Sequence, residues 1–473
     1  MTATPATSVR FGRLERRGVL LGLDVGQLTL LAVALVVLVV AEYGAGALGV
    51  AVTAPVWGAL ASVALVSVAG RPVTKWLPIV GQWMVRRAFR ATRYVARPLR
   101  EPRSESLSLP GFPGRLTIAA SPVTAAAVIF DRRSATVTGI LELAGRGFPL
   151  EDAGSQDLRV SGWGRVLASL CQQPEIVRIQ LLHRSSADGA AGVRRWWAEQ
   201  ALADAPWAAR VVADLLAESS MLTDRRDCFL AVAVRVPRGS RRVTAATVSA
   251  LDQHLAAITD GLASAEVDVL GVVTPARLRQ VLRTAYDPIA ASDSAHVGSG
   301  AGLVGPMGVA EFWDCVRTDA AHHAVYWVAE WPRSDVHPGF LHPLLLAAGA
   351  RRAFALIAEP LSASAALREI RRARVEHAAD AAQRARIGRV EDESTRAEAA
   401  DLVRREQDLV GGHGDLRFAG LITVSAGSRA ELEVACRATE AAAAQAMCEL
   451  RLLVGQQGQA HAVASLPLAR GLL

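Results

Sequence analysis

Between Leu28 and Gly70 the chain runs for 43 residues with one ionisable side chain, Glu42, the longest uninterrupted apolar pattern it contains. A membrane-crossing helix needs about 20 consecutive apolar residues, so a run of this length predicts two spans. They fall at Leu23 to Ala41 and Leu48 to Ala69, joined through the turn-like Tyr43-Gly44-Ala45-Gly46. A cleavable leader does not fit, because a second apolar span follows the first at once. Glu42 lies beside the turn, where a carboxylate reaches the water interface and needs no intramembrane role.

Past this run the pattern changes to short strands and amphipathic helices. Residues 98–122 hold Pro98, Pro102, Pro110, Pro113 and Pro122 among serines and glycines, a linker composition. Val123 to Phe130 and Ala135 to Leu143, around Asp131-Arg132-Arg133-Ser134, predict a β-hairpin. Helices are predicted at Gln156 to Leu170, Val193 to Leu216 and Val243 to Ala263, and strands at Ile176 to Leu182, Cys228 to Val236 and Val267 to Val273. Gly298, Gly300, Gly302, Gly305 and Gly308 then mark a flexible linker; no lysine follows them, so they do not read as a phosphate-cradling loop. Beyond it come strands at Ala324 to Trp331, Arg352 to Ile357, Arg417 to Val424 and Glu449 to Val454, and helices at Leu341 to Ala348 and Ser428 to Met447. A long charged helix from Ser362 to about Leu409 alternates arginine and glutamate and reads as a solvated hairpin or projecting arm, with Gly388 a candidate break.

The expected fold is therefore a membrane helical hairpin of two spans followed by cytoplasmic α+β structure, as two ferredoxin-like domains with a long charged helical arm. The expected segments are 1–22 (cytoplasmic N-terminus), 23–70 (spans), 71–122 (basic collar and linker), 123–291 (first domain), 292–316 (Gly-rich linker) and 317–473 (second domain, arm 362–410).

Charge sharpens this picture. The chain has 473 residues and net charge +7, and Lys75 is its only lysine beside 51 arginines. Residues 71–103 hold nine basic side chains against one acid, Glu101, which leaves everything after Arg103 close to neutral. With Arg10, Arg13, Arg16 and Arg17 before the first span, both termini and the soluble domains are expected in the cytoplasm of a multi-pass bacterial plasma-membrane protein. The collar residues Arg71, Lys75, Trp76, Trp83, Arg86, Arg87 and Arg90 predict a segment lying on anionic lipid; a nucleic-acid arm is disfavoured because no similar basic density recurs downstream.

Candidate chemistry is sparse. Lys75 follows no glycine-rich loop, so no Walker A motif is present and the chain is not read as a P-loop motor. Cys171, Cys228, Cys315, Cys436 and Cys448 have neither disulfide-framework nor zinc-ribbon spacing. His322, His323, His337 and His342 lack ligand spacing, and the adjacent pair points to opposite faces of a strand. Asp224 and Asp227 flank Arg225 and Arg226 and read as a solvated turn. No catalytic residue, cofactor or metal is expected, and the chain is read as a non-enzyme.

Certain residues resemble a known family. Arg10-Phe11-Gly12-Arg13-Leu14-Glu15-Arg16-Arg17-Gly18, the spans, Trp76-Leu77-Pro78 and Trp83 resemble the small PrgI-type inner-membrane subunit of conjugation machines. Tyr326-Trp327-Val328-Ala329-Glu330-Trp331-Pro332, Asp415 to Val424, Glu431-Leu432-Glu433, Gly455-Gln456-Gln457 and Leu466-Pro467-Leu468 resemble the amino-terminal, non-motor region of the VirB-type conjugation ATPase. Together they resemble actinobacterial membrane proteins that fuse the two parts. That family would run on into a nucleotide-binding domain, whereas this sequence ends at Leu473.

The resemblance implies a membrane scaffold of a type IV-like secretion system that docks a separately encoded VirB-type ATPase. The partners it implies are that ATPase, other membrane secretion subunits, anionic lipid and further copies of the chain, with no direct nucleic acid. Trp327, Trp331, Pro332, Arg371, Arg372, Arg404 and Arg405 are the candidate docking residues. The alternatives are an EccE-like membrane subunit of type VII secretion and a membrane-tethered enzyme using His322 or His323.

Overall fold

The computed structural model describes Val9, Phe11 and residues 24–68, 71–96, 106–111, 114–145, 147–188, 197, 199–200, 206–218, 223–237, 243–288, 305–346, 351–386 and 393–471. They form two compact units, residues 14–92 and residues 1–13 with 93–473.

In the first unit, helix α1 (Val25–Leu65) is one assigned element of 41 residues. Asp24 caps it: its side chain accepts from Val25 N, and Gln27 Oε1 accepts from Asp24 N at 2.9 Å. The expectation of two separate helices, Leu23 to Ala41 and Leu48 to Ala69, is corrected here. Tyr43-Gly44-Ala45 stay helical, and Gly46 alone leaves helical geometry, with φ 59° and ψ −149°. Lacking a Cβ, Gly46 takes this conformation at one position, so the expected loop shrinks to a single residue. Gln27 Nε2 donates to Ala64 O at 2.7 Å within the same element. Among the described residues α1 is the one helix long and apolar enough to cross a membrane. A short antiparallel pair, β1 (Ser67–Val68) and β2 (Arg71–Pro72), leads into α2 (Val73–Ala88).

The second unit is built on one 14-stranded antiparallel sheet. Its strands are β3 (Arg93–Val95), β4 (Ser106–Leu107), β5 (Leu116–Ala120), β6 (Ala127–Asp131), β7 (Thr136–Ala144), β8 (Ile176–Asp188), β9 (Thr223–Arg235), β10 (Asp268–Val272), β11 (Gly308–Glu311), β12 (Val316–Arg317), β13 (His322–Glu330), β14 (Arg351–Leu361), β15 (Asp415–Ala426) and β16 (Glu449–Leu452). The helices are α3 (Ala153–Cys171), α4 (Pro206–Glu218), α5 (Ala245–Ser264), α6 (Pro275–Tyr286), α7 (His342–Leu345), α8 (Ala363–Arg386), α9 (Glu393–Val410), α10 (Arg429–Gln445) and α11 (Gln457–Ser465).

Two blocks repeat one arrangement. In the first, β7-α3-β8-β9-α5-β10 pairs in the order β10-β7-β9-β8. In the second, β13-α7-β14-β15-α10-β16 pairs as β16-β13-β15-β14. Each block has a strand paired to the start of its first strand, β6 on β7 and β12 on β13, and a helix after its last, α6 and α11. The blocks join where β8 pairs antiparallel with β14, from Arg184 opposite Ala353 to Ile179 opposite Ala358. The segments expected as two domains, 123–291 and 317–473, thus share one sheet. Helical structure interrupts the second-to-third strand connection in both blocks, α4 in one and α8 with α9 in the other.

The alternation of strand residues divides the core by face. Ile140, Phe229, Ala231, Leu182, Ala355, Ile357 and Leu421 face a core that α6 and α11 cover across both blocks. On the other side, Leu141, Leu230 and Val232 pack under α3 and α5, while Tyr326, Val328, Phe354 and Ile422 pack under α7 and α10.

Candidate functional site

Helix α2 places the interfacial candidates. Trp76, Leu77, Val80, Trp83 and Met84 recur at helical spacing, and Leu77, Val80 and Met84 are exposed, leaving an apolar stripe on an otherwise basic helix. Trp83 is buried, with the Arg86 guanidinium 5.8 Å from its ring centroid. Lys75 pairs with Asp24 at 3.3 Å, and Arg87 and Arg90 are exposed. Arg71 lies in β2, and Arg90 just past α2 takes φ 53°.

The tryptophan-proline candidates are not brought together. On β13 the alternation turns Trp327 towards the core under α6 and α11, whereas Trp331, past the strand end, belongs to the opposite core under α7 and α10. Trp331 and Pro332 are buried. What covers Trp331 is the amino terminus: Phe11 stacks on it with ring centroids 4.9 Å apart, and Phe340 and Phe418 lie 5.3 and 6.1 Å from Phe11. Val9 and Val336 form an antiparallel bridge, with Val9 N donating to Val336 O at 2.8 Å and Val336 N to Val9 O at 3.0 Å. Gly420 on β15 makes room for the indole, since a Cβ there would stand 2.7 Å from Trp331 Cζ2.

The charged arm is two helices packed on each other rather than one continuous rod. Arg374 Nη1 meets Glu406 Oε2 at 2.5 Å, and His377 lies 3.9 Å from Glu398, so α8 and α9 run antiparallel. Among the described side chains of the arm, Ala366, Ile370, Ala373 and Leu402 are buried. Gly388, the candidate break, lies outside the described residues. Of the four arginines proposed for docking, Arg371, Arg372 and Arg404 are exposed, and Arg372 pairs with Glu376 one turn on at 2.9 Å. Arg405 instead binds Asp415 at the start of β15, at 2.7 to 3.2 Å.

Two buried polar clusters lie away from these surfaces. Asp227 was expected in a solvated turn; it sits instead within β9, 8% exposed, and accepts from Arg225 Nε at 2.8 Å and from Arg184 and Arg277 at 3.4 Å. Burial pushes its carboxyl up, but the three guanidinium groups outweigh this and hold it below the usual range. Arg184, itself buried, also donates to Val281 O at 2.8 Å and Thr284 Oγ1 at 2.9 Å, and Arg277 grips Glu142 through two bonds.

In the second cluster, His323 bonds Ser425 Oγ at 2.8 Å and Thr318 Oγ1 at 3.0 Å, with His461 4.3 Å away centroid to centroid. Burial holds His323 well below its ordinary value and His461 down to about 4, so both are neutral at pH 7. His322 is on the other side of β13, as strand alternation requires. Among the described residues no group of three or more His, Cys, Asp or Glu could hold a metal ion. His461 and the arginine-carboxylate cluster carried no sequence signal of their own, because their partners are far away in the chain.

No protein-family model matches this chain, and no curated protein matches it either.

Proposed function

We propose that this protein is a non-catalytic scaffold of the bacterial plasma membrane, belonging to a type IV-like, conjugation-related secretion system, that docks a separately encoded VirB-type ATPase. One observation supports it above the others: an apolar membrane-length helix precedes an antiparallel α+β unit from which a charged two-helix arm extends. The buried polar clusters take most of their partners from within the fold, though Arg184 Nε and His461 Nε2 have none, and the arm and α2 carry accessible charge suited to a protein partner and to lipid.

We read α1 as a two-span hairpin folded at Gly46, with both ends cytoplasmic. A straight helix of its length would hold its ends about 60 Å apart, yet Gln27 reaches Ala64 O at 2.7 Å. The two repeated blocks, each in the strand order fourth-first-third-second, support the ferredoxin-like reading of the soluble unit.

The test is affinity purification of the full-length protein from detergent-solubilised host membranes with mass spectrometry of what accompanies it. Recovery of a VirB-type ATPase is the expected result. Recovery of an EccC-type ATPase with small helical substrates would replace this reading by the type VII one, and a preparation with no motor would remove the docking role.

A further inference from the structure

We propose that the groove between α7 and α10 docks an amphipathic helix of a protein partner, laid antiparallel to α10 so that its carboxyl-terminal end meets Arg352. This inference stands apart from the secretion reading. The groove has a volume of about 960 Å³, and one wall of it is α10, where Ala430, Val434, Ala438, Ala441 and Gln445 recur at intervals of three or four. Those residues run for about 22 Å along the helix. Val434 is 59% exposed, and Ala438 and Ala441 are exposed with it. An acyl chain laid on so open a wall would stay wet on its outer side, whereas an amphipathic helix covers the wall with one face and turns its polar face to water. The small side chains of α10 let the backbone of such a helix come close.

Arg352 gives the groove its chemistry. Strand alternation puts it on the face of β14 that carries Phe354, under α7 and α10, and it is 8% exposed. Its Nη1 donates to Leu344 O at 3.1 Å, but its Nε has no partner. Arg184, equally buried, has Asp227; among the described residues no carboxylate pairs with Arg352, and burial alone pushes its guanidinium below the ordinary value. Glu431, the acid that lines the groove, is turned to the start of α10, where it accepts from Gly427 N at 3.2 Å. A buried cation without a counter-charge costs the isolated chain stability, and a partner's carboxylate would offset that cost. Arg352 stands opposite Val424 near the end of β15, and so beside the start of α10. A helix carries its negative end at its carboxyl terminus, which fixes the direction in which the partner lies.

The experiment uses the full-length chain in detergent and a fluorescein-labelled helical peptide of about 16 residues, long enough to span the wall, with leucine and alanine on one face and glutamate and lysine on the other. Binding by polarisation is compared for the peptide ending in a free carboxylate and for its carboxyl-terminal amide. The free acid should bind wild type at least about tenfold more tightly than the amide. Arg352→Met should abolish that difference while leaving the melting temperature unchanged or raised, because the buried charge serves the partner and not the fold. Ala438→Arg, at an exposed position, should block both peptides with the melting temperature within a few degrees of wild type. The proposal would be overturned by no binding of the free acid to wild type, by equal affinities for acid and amide, by a marked fall in melting temperature for Arg352→Met, or by binding that survives Ala438→Arg.

Discussion

Asp227 sits where three guanidinium groups converge, and removing its charge leaves Arg184 in a low-dielectric site without its carboxylate. Asp227→Asn should therefore cost about 3–5 kcal/mol of stability, measured by urea denaturation, whereas a solvated-turn aspartate would cost almost nothing. The sequence suggested the turn because Asp224-Arg225-Arg226-Asp227 pairs its own charges locally; the decisive partners, Arg184 and Arg277, lie 43 and 50 residues away. His461 shows the same blindness to distance. It is neutral in the fold with a value near 4 and would be protonated below about 6.5 when unfolded. Its contribution is thus present above pH 6.5 and lost as the pH falls towards 4, where the unfolded chain holds the extra proton. The loss is on the order of 3 kcal/mol. Melting temperature followed from pH 7 to 4 should fall, and His461→Gln should flatten that fall. At Gly420 a methyl would collide with the Trp331 indole, so Gly420→Ala should destabilise by about 1–3 kcal/mol in the same denaturation assay.

Helices α8 and α9 were legible as charged helical structure because alternating arginine and glutamate leave little else for a solvated segment to be. Arg374 to Glu406 and His377 to Glu398 link the two, and Ile370, Ala373 and Leu402 are buried among many charges. Arg371, Arg372 and Arg404 are exposed, so their joint replacement by alanine should leave stability within about 1 kcal/mol. The same variant should recover less ATPase by affinity capture; unchanged recovery would remove the arm as the contact. Other elements escaped the sequence reading for stated physical reasons. Helix α6 opens with Thr274 capping Arg277 N and Pro275 at its first position, a readable start, but it is a short 12-residue segment between a strand and a glycine-rich stretch. Helix α11 is mostly alanine and glutamine, with no polar face to set a period, and is buried on nearly every side. Strand β5 falls within the proline-rich stretch expected as linker, and it pairs over five residues with β6.

The whole soluble unit shares one sheet, and the core beneath α6 and α11 runs through both blocks. It should therefore unfold as one cooperative body. Single-cysteine variants retaining Cys171, in the first block, or Cys448, in the second, test this: both thiols are buried, and they should become reactive at the same urea concentration. Two separated transitions would show that the blocks melt apart. Fold class was legible because helix and strand periods interleave along the chain, but the joint between blocks was not, since nothing local marks β8 and β14 as neighbours. That joint has its own consequence. Each block closes the outer edge of the other, so the tandem is formally a dimer made in a single chain. Produced alone, residues 106–288 would bare the edge of β8 and find a second copy of themselves, pairing β8 with β8 across a new twofold axis.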